Sequence, residues 1–371
     1  MIARRALLAW AGLAGIDAQA AAHVGTAVAT AVAPRALVFP RDHGAHLDAQ
    51  IEWWYATGWL QAVDAPNDQP AFGFQLTFFR SRTGLAAKVA SRFAARQLLF
   101  AHAALTDLAG RRLRHAERIA RWNGEEASPR AAASLADTRV QIGDWRFERD
   151  ANGYRAALSD EAAGFAYRLT LATTQPLLLQ GDAGTSRKGP ELAQASHYYS
   201  QPQLAVSGEL KHGGGKASAV RGRAWLDHEW SDSLLPAGAV GWDWIGINLA
   251  DGSALTAFRL RRADGSAVWA GGSQRPQGGS VRAFNADEVR FEPLTFWTSA
   301  ATRARYPVRW RVSTPAGAFE VRALLDAQEL DSRASTGTVY WEGLAELLDG
   351  SGVRLGLGYL EMTGYAAPLR L

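Results

Sequence analysis

The chain has 371 residues, 47% hydrophobic and 20% charged, a composition that excludes a disordered, collagen-like or coiled-coil protein. It contains no cysteine, which excludes disulfides, thiol nucleophiles, Cys-ligated zinc and iron–sulfur clusters. The net charge of +4 comes from arginines scattered among acids with no long basic run, so nucleic acid is not an expected partner.

Residues 1–22 read as a signal peptide. A basic start ending in Arg4-Arg5 precedes an apolar run over 6–16, too short to span a bilayer, and Ala18-Gln19-Ala20 offers a cleavage site. The two arginines leave general and twin-arginine export open. Residues 23–36 follow as a flexible leader, and the destination expected is periplasmic or secreted. No later stretch has the length of a transmembrane segment, so none is expected in the mature chain.

Beyond the leader the period is two. Phe72, Phe74, Leu76 and Phe78 alternate with small or polar residues, as do Ile245, Ile247 and Leu249, and then Leu355, Leu357 and Tyr359. This pattern predicts strands, and the Asp-Gly pairs at 251–252 and 264–265 predict hairpins between them. One weak helical window spans 323–330. Leu76-Thr77-Phe78-Phe79-Arg80 recurs as Leu255-Thr256-Ala257-Phe258-Arg259, each copy after an aromatic strand. The repeat and the length predict an all-β chain of two tandem antiparallel barrels, 37–215 and 216–371, divided near Gly213-Gly214-Gly215.

Phe39-Pro40-Arg41-Asp42-His43-Gly44-Ala45-His46 followed by Glu52-Trp53-Trp54-Tyr55 resembles the opening of the AttH family, which is related to the carotenoid 1,2-hydratases. His197-Tyr198-Tyr199-Ser200, Asp227-His228-Glu229-Trp230, Tyr340-Trp341-Glu342-Gly343 and Gly358-Tyr359-Leu360-Glu361 extend the resemblance over most of the chain. It implies lipocalin-like barrels, an extracytoplasmic location and a partnership with ABC transporter permease components. Members have been labelled secreted hydrolases, yet no Gly-x-Ser-x-Gly elbow is present. The hydratases' His-x-Trp is kept as His228 and Trp230. Their Tyr-x-Asp is replaced by Ala257-Phe258-Arg259-Leu260, which argues against carotenoid hydration.

The densest polar cluster is Asp227-His228-Glu229, flanked by Trp225 and Trp230. Protonating an alkene carbon needs an acid, a dry pocket and aromatic faces for the cation, so Asp227 and His228 are candidate catalytic residues. Asp243 is a third candidate: it shares a face with Ile245 and Ile247, where burial would raise its pKa, against the alternative of a structural pair with arginine. Glu52 shares parity with Trp54 and Leu60. Glu342 and Glu361 share parity with Tyr340 and Tyr359; pairing with arginine is the favoured reading, orientation of a ligand the other. Candidate ligand contacts are Trp54, Trp230, Trp242, Trp244, Glu52 and Glu342. His43 and His46 have a spacing that could supply two metal ligands, with a third needed from elsewhere. No cofactor is expected. Two functions stay open, a carrier of an apolar or amphipathic small molecule and an enzyme acting on an unsaturated apolar substrate by acid catalysis.

Overall fold

The computed structural model describes residues 34–66, 69–84, 95–128, 130–233 and 235–369. The signal peptide and most of the leader lie outside the described residues. Among the described residues, apart from the 3-10 turn Arg41–His43, the regular elements are antiparallel strands arranged in two sheets. The alternation read from the sequence is therefore realised, and the 323–330 window is not helical: strand Gly317–Ala323 ends there and strand Glu329–Ser332 begins.

Both sheets are meanders whose first strand pairs with their last, the up-and-down plan of a lipocalin-like barrel. In the first, Ile51–Ala62 pairs with Ser218–Ser231, so that Trp54 lies opposite His228 and Tyr55 opposite Asp227. In the second, Gly241–Leu249 pairs with Arg354–Met362. Each barrel is nearly closed. The gap in the first is bridged by Arg118, whose Nη1 donates to Ile142 O at 3.0 Å and to Asp144 Oδ1 at 2.5 Å. Strand Ser218–Ser231 belongs to the first sheet, so the change of sheet falls between Ser231 and Gly241 and not at 215/216. The triple glycine that suggested a boundary is a hairpin turn between two neighbouring strands of one barrel.

Strand parity divides each side-chain set between two destinations. Trp54, Ala56 and Leu60 point into the first barrel, and Ile245 and Ile247 into the second. The opposite face of the same strands carries Tyr55, Trp59 and Trp244, which are also buried because the two barrels pack against each other there. Strands covered on both faces explain the aromatic density of these segments. At Gly73 a Cβ would lie 2.7 Å from the Tyr359 hydroxyl and 3.1 Å from Leu344 Cβ, so glycine allows the second barrel its close approach. Polar ties fix the relative position: Asn248 Nδ2 donates to Ala224 O at 3.0 Å, and Thr106 Oγ1 to Gln328 Oε1 at 2.8 Å.

Candidate functional site

The facing outer surfaces of the two barrels enclose a cavity of about 400 Å³. Its wall combines aromatic rings, among them Trp53, Tyr55, Tyr198, Trp242, Trp244 and Phe258, with four carboxyl groups, Asp227, Glu229, Glu342 and Glu361. Size and apolar character suit a small organic molecule. The acids arrive by parity. Asp227 and Glu229 alternate with the inward-facing Leu226 and His228, while Glu342 and Glu361 alternate with Trp341, Leu360 and Met362 of the second barrel's interior.

Three of these acids have no cation beside them among the described residues. Glu342 and Glu361 are register partners on adjacent strands. Burial and the neighbouring Glu361 push the Glu342 carboxyl well above the ordinary range. Gln75 Nε2 donates to Glu342 Oε2 at 2.9 Å, while Glu342 Oε1 and the Tyr55 hydroxyl have no hydrogen-bond partner. Burial raises Glu361 to about 7 against the pull of Trp242, with Asp227 and Glu229 adding to the rise. Burial also lifts Asp227 to about 7, although Ser200 Oγ (2.5 Å), Tyr198 OH (2.7 Å) and Trp225 Nε1 (2.7 Å) all donate to it. The expected arginine partners of Glu342 and Glu361 are not there, because both side chains point away from their own barrel and face apolar surface. Glu229 differs: Lys188 Nζ lies 2.9 Å from its Oε1, over the rings of Phe258 and Tyr198.

The Asp227-His228-Glu229 cluster is thus split between two faces. His228 lies inside the first barrel, stacked on Trp54 at 4.8 Å, and burial lowers its pKa to about 4 despite Glu52. There Glu52 is a hub. Its Oε1 accepts from His46 Nδ1 (2.7 Å) and His228 Nε2 (2.9 Å), and its Oε2 from Arg80 Nε (2.8 Å). Burial alone would raise Glu52, but the bonds from His228 and His46 and the Arg80 charge hold it well below the carboxylate range. Trp230 stacks on His46 at 3.7 Å. Trp54, Trp230, Glu52 and His228 therefore pack a barrel end and do not line the cavity, whereas Trp242, Trp244, Asp227 and Glu342 do.

His46 Nδ1, Glu52 Oε1 and His228 Nε2 lie within 4.8 Å of one another, a donor set that could ligate a cation. The geometry fits hydrogen bonding better. Ligands of a tetrahedral zinc sit about 3.3 Å apart, whereas the two nitrogens here are 2.7 and 2.9 Å from the carboxylate oxygen, and Arg80 already supplies its positive charge. His46 Nε2 is also engaged, by Asp42 Oδ1 at 3.0 Å. His43 stands apart, its Nδ1 2.7 Å from the Tyr199 hydroxyl.

Asp243 points into the second barrel as its parity predicts, but it is paired. Arg259 Nε donates to it at 2.6 Å and Tyr365 OH at 2.8 Å. Tyr55, Tyr198, His102 and Tyr340 line the cavity without having been site candidates from the sequence, and Lys188, which reads in sequence as a solvated turn or an anion contact, lines it too. The available signal was that Trp54 and Tyr55 occupy opposite faces of one strand, so both faces had to be covered.

The model of the AttH-like family matches residues 30–365. No curated protein matches the chain. Among solved structures, a putative AttH from Nitrosomonas europaea is 46% identical, covers 91% of this chain and 99% of its own, and superposes with a TM-score of 0.81. Kievitone hydratase from Nectria haematococca is 14% identical over 90% of this chain and 94% of its own, with a TM-score of 0.66. CghA in complex with Sch210972 is 13% identical over 85% and 89%, with a TM-score of 0.52. The last two show a shared fold. Among the described residues, no helix is long and apolar enough to cross a membrane.

Proposed function

The chain belongs to the AttH-like family, and from that footing we propose that it binds an apolar, unsaturated small molecule between its two barrels and transfers a proton to it. The observation that carries this reading is a set of three carboxyls in the wall of an aromatic cavity, Asp227 and Glu342 buried and Glu361 half-buried, none of them ion-paired among the described residues. A carboxyl kept neutral near pH 7 can act as a general acid.

Glu342 is the proposed donor, because its Oε1 is free of protein partners. Its proton passes to an alkene carbon, leaving a carboxylate and a carbocation. The faces of Trp244 and Tyr55 and the new carboxylate stabilise that cation. Capture by water gives a hydrated product; loss of a neighbouring proton gives an isomer. Asp227 and Glu361, the other carboxyls near their midpoint, are suited to accept the departing proton. Lys188 with Glu229 would orient a polar group at one end of the ligand. An accessory role beside an ABC transporter and export through residues 1–22 rest on the family resemblance and the leader sequence alone.

The test is mass spectrometry of lipophilic material extracted from the protein purified from its own cells. An unsaturated apolar compound near one equivalent supports the reading. Hydrophilic material that binds the cavity in its place counts against it.

A further inference from the structure

Four side chains form a continuous hydrogen-bonded chain from the cavity to the edge of the first barrel, and no step of the proposed chemistry has used them. Tyr340 OH is 2.8 Å from His102 Nδ1. His102 Nε2 is 2.8 Å from Ser335 Oγ, and Ser335 Oγ is hydrogen-bonded to Glu117 Oε2. Tyr340, His102 and Ser335 line the cavity, whereas Glu117 is on an edge strand and only partly buried. The residues come from both barrels: Glu117 and His102 are register partners in the first, and Ser335 and Tyr340 belong to a turn and strand of the second.

The direction of every proton follows from the donor inventory. Glu117 Oε2 also receives the Ser335 backbone N–H at 3.2 Å, so this oxygen accepts, and Ser335 spends its one hydroxyl hydrogen on it. His102 Nε2 must then carry a hydrogen to donate to Ser335. Burial holds His102 neutral, with its pKa lowered to about 3, so Nδ1 is left bare and accepts from Tyr340. All three hydrogens point toward Glu117.

We propose that Tyr340, His102, Ser335 and Glu117 form a proton-exit wire from the cavity to solvent. The inference rests on reading the cavity as a site of proton chemistry. A proton released when water adds to the cation, taken up first by Asp227 or Glu361, is handed on through water in the cavity to the Tyr340 oxygen. Tyr340 passes its own hydrogen to His102 Nδ1, His102 passes the Nε2 hydrogen to Ser335, and Ser335 passes its hydrogen to Glu117. One net proton leaves by the wire, and the Glu342 carboxylate left by the first step takes one back from solvent as product departs, so that the hydration stays proton-neutral. Glu117 then releases its proton to solvent; the Tyr340 and Ser335 hydroxyls rotate back, and His102, left as its Nδ1–H tautomer, regains the Nε2–H form by ring reorientation and proton exchange before the next transfer.

The wire is tested without any ligand, so its failure is separable from failure of the acid-catalysis reading. In full-length protein labelled with 15N-histidine, with His102→Gln used for assignment, His102 should be the Nε2–H tautomer at pH 7. Its Nε2 hydrogen should exchange with solvent quickly for a ring that is 2% exposed. Glu117→Gln preserves a hydrogen bond to Ser335 but cannot take up a proton, and should slow that exchange at least tenfold. A purely structural chain predicts the opposite, since loosening it admits water: exchange unchanged or faster in Glu117→Gln overturns the proposal, as does an Nδ1–H tautomer in the parent.

Discussion

Glu342 and Glu361 face each other across adjacent strands of the second barrel, Glu342 buried and Glu361 half-buried, on the face that the first barrel covers. Two carboxyls so placed cannot both ionise at the ordinary pH, and neither has a cation to help it.

Asp227 and Glu361 should take stability away as pH rises from about 4 to about 7, against His102 and His228, whose lowered values add stability over the same interval. Asp227 and Glu361 have folded-state values raised to about 7, so their contribution is complete below the unfolded value and is lost as pH climbs to the folded one. For Asp227 alone the loss is on the order of 4 kcal/mol at about 1.4 kcal/mol per pK unit. Thermal unfolding measured every half unit should show Asp227→Asn gaining stability relative to the parent as pH rises through this interval. A difference between variant and parent that stays constant over the interval would place Asp227 in a charged, compensated environment.

Cavity and barrel interior should separate by mutation. Trp244→Ala removes a wall of the cavity and should weaken binding of a solvatochromic apolar dye by about tenfold, in line with the roughly 1 kcal/mol an aromatic contact adds beyond its area. Trp54→Ala opens a hole inside the first barrel, costing about 3–5 kcal/mol in urea unfolding. It should leave dye affinity within about twofold under native conditions. Equal loss of affinity in both variants would move the ligand into the barrel.

The repeat Leu-Thr-x-Phe-Arg has a physical basis in two equivalent ion pairs. Glu52 pairs with Arg80 and Asp243 with Arg259, each acid directly opposite its arginine on adjacent strands. Removing one partner strands a buried charge, so Glu52→Ala and Asp243→Ala should each cost about 3–5 kcal/mol in chemical denaturation. Losses below about 1 kcal/mol in both would show that solvent reaches these pairs.

Much of this was legible from alternation. The parity of Glu52 with Trp54, and of Asp243 with Ile245, predicts that each acid points into its own barrel. The parity of Glu342 with Tyr340 correctly groups the two on one face. Parity states which residues share a face but not what covers it. The covered outer face of one barrel looks, in sequence, like its interior, which is why Glu342 and Glu361 read as barrel-lining. The same limit made Asp227-His228-Glu229 look like one site, when adjacent strand residues must diverge. His102 and Glu117 meet Ser335 over more than two hundred positions of chain, a contact that no local pattern encodes.

The His46, Glu52 and His228 group gives a further check. A stoichiometric excess of zinc, or chelation before the assay, should leave the melting temperature unchanged within about 1 °C, because each donor is engaged in a hydrogen bond. Stabilisation that saturates at one equivalent of zinc and disappears in His46→Gln would make the group a metal site.

Proton transfer to carbon is the central claim, and deuterium reports it directly. The parent protein, incubated in D2O with the apolar compound recovered from it, should place deuterium on a carbon of that compound, and Glu342→Gln should bind it while slowing incorporation by at least a hundredfold. A compound that occupies the cavity of the parent protein and is recovered with no carbon-bound deuterium would contradict the account.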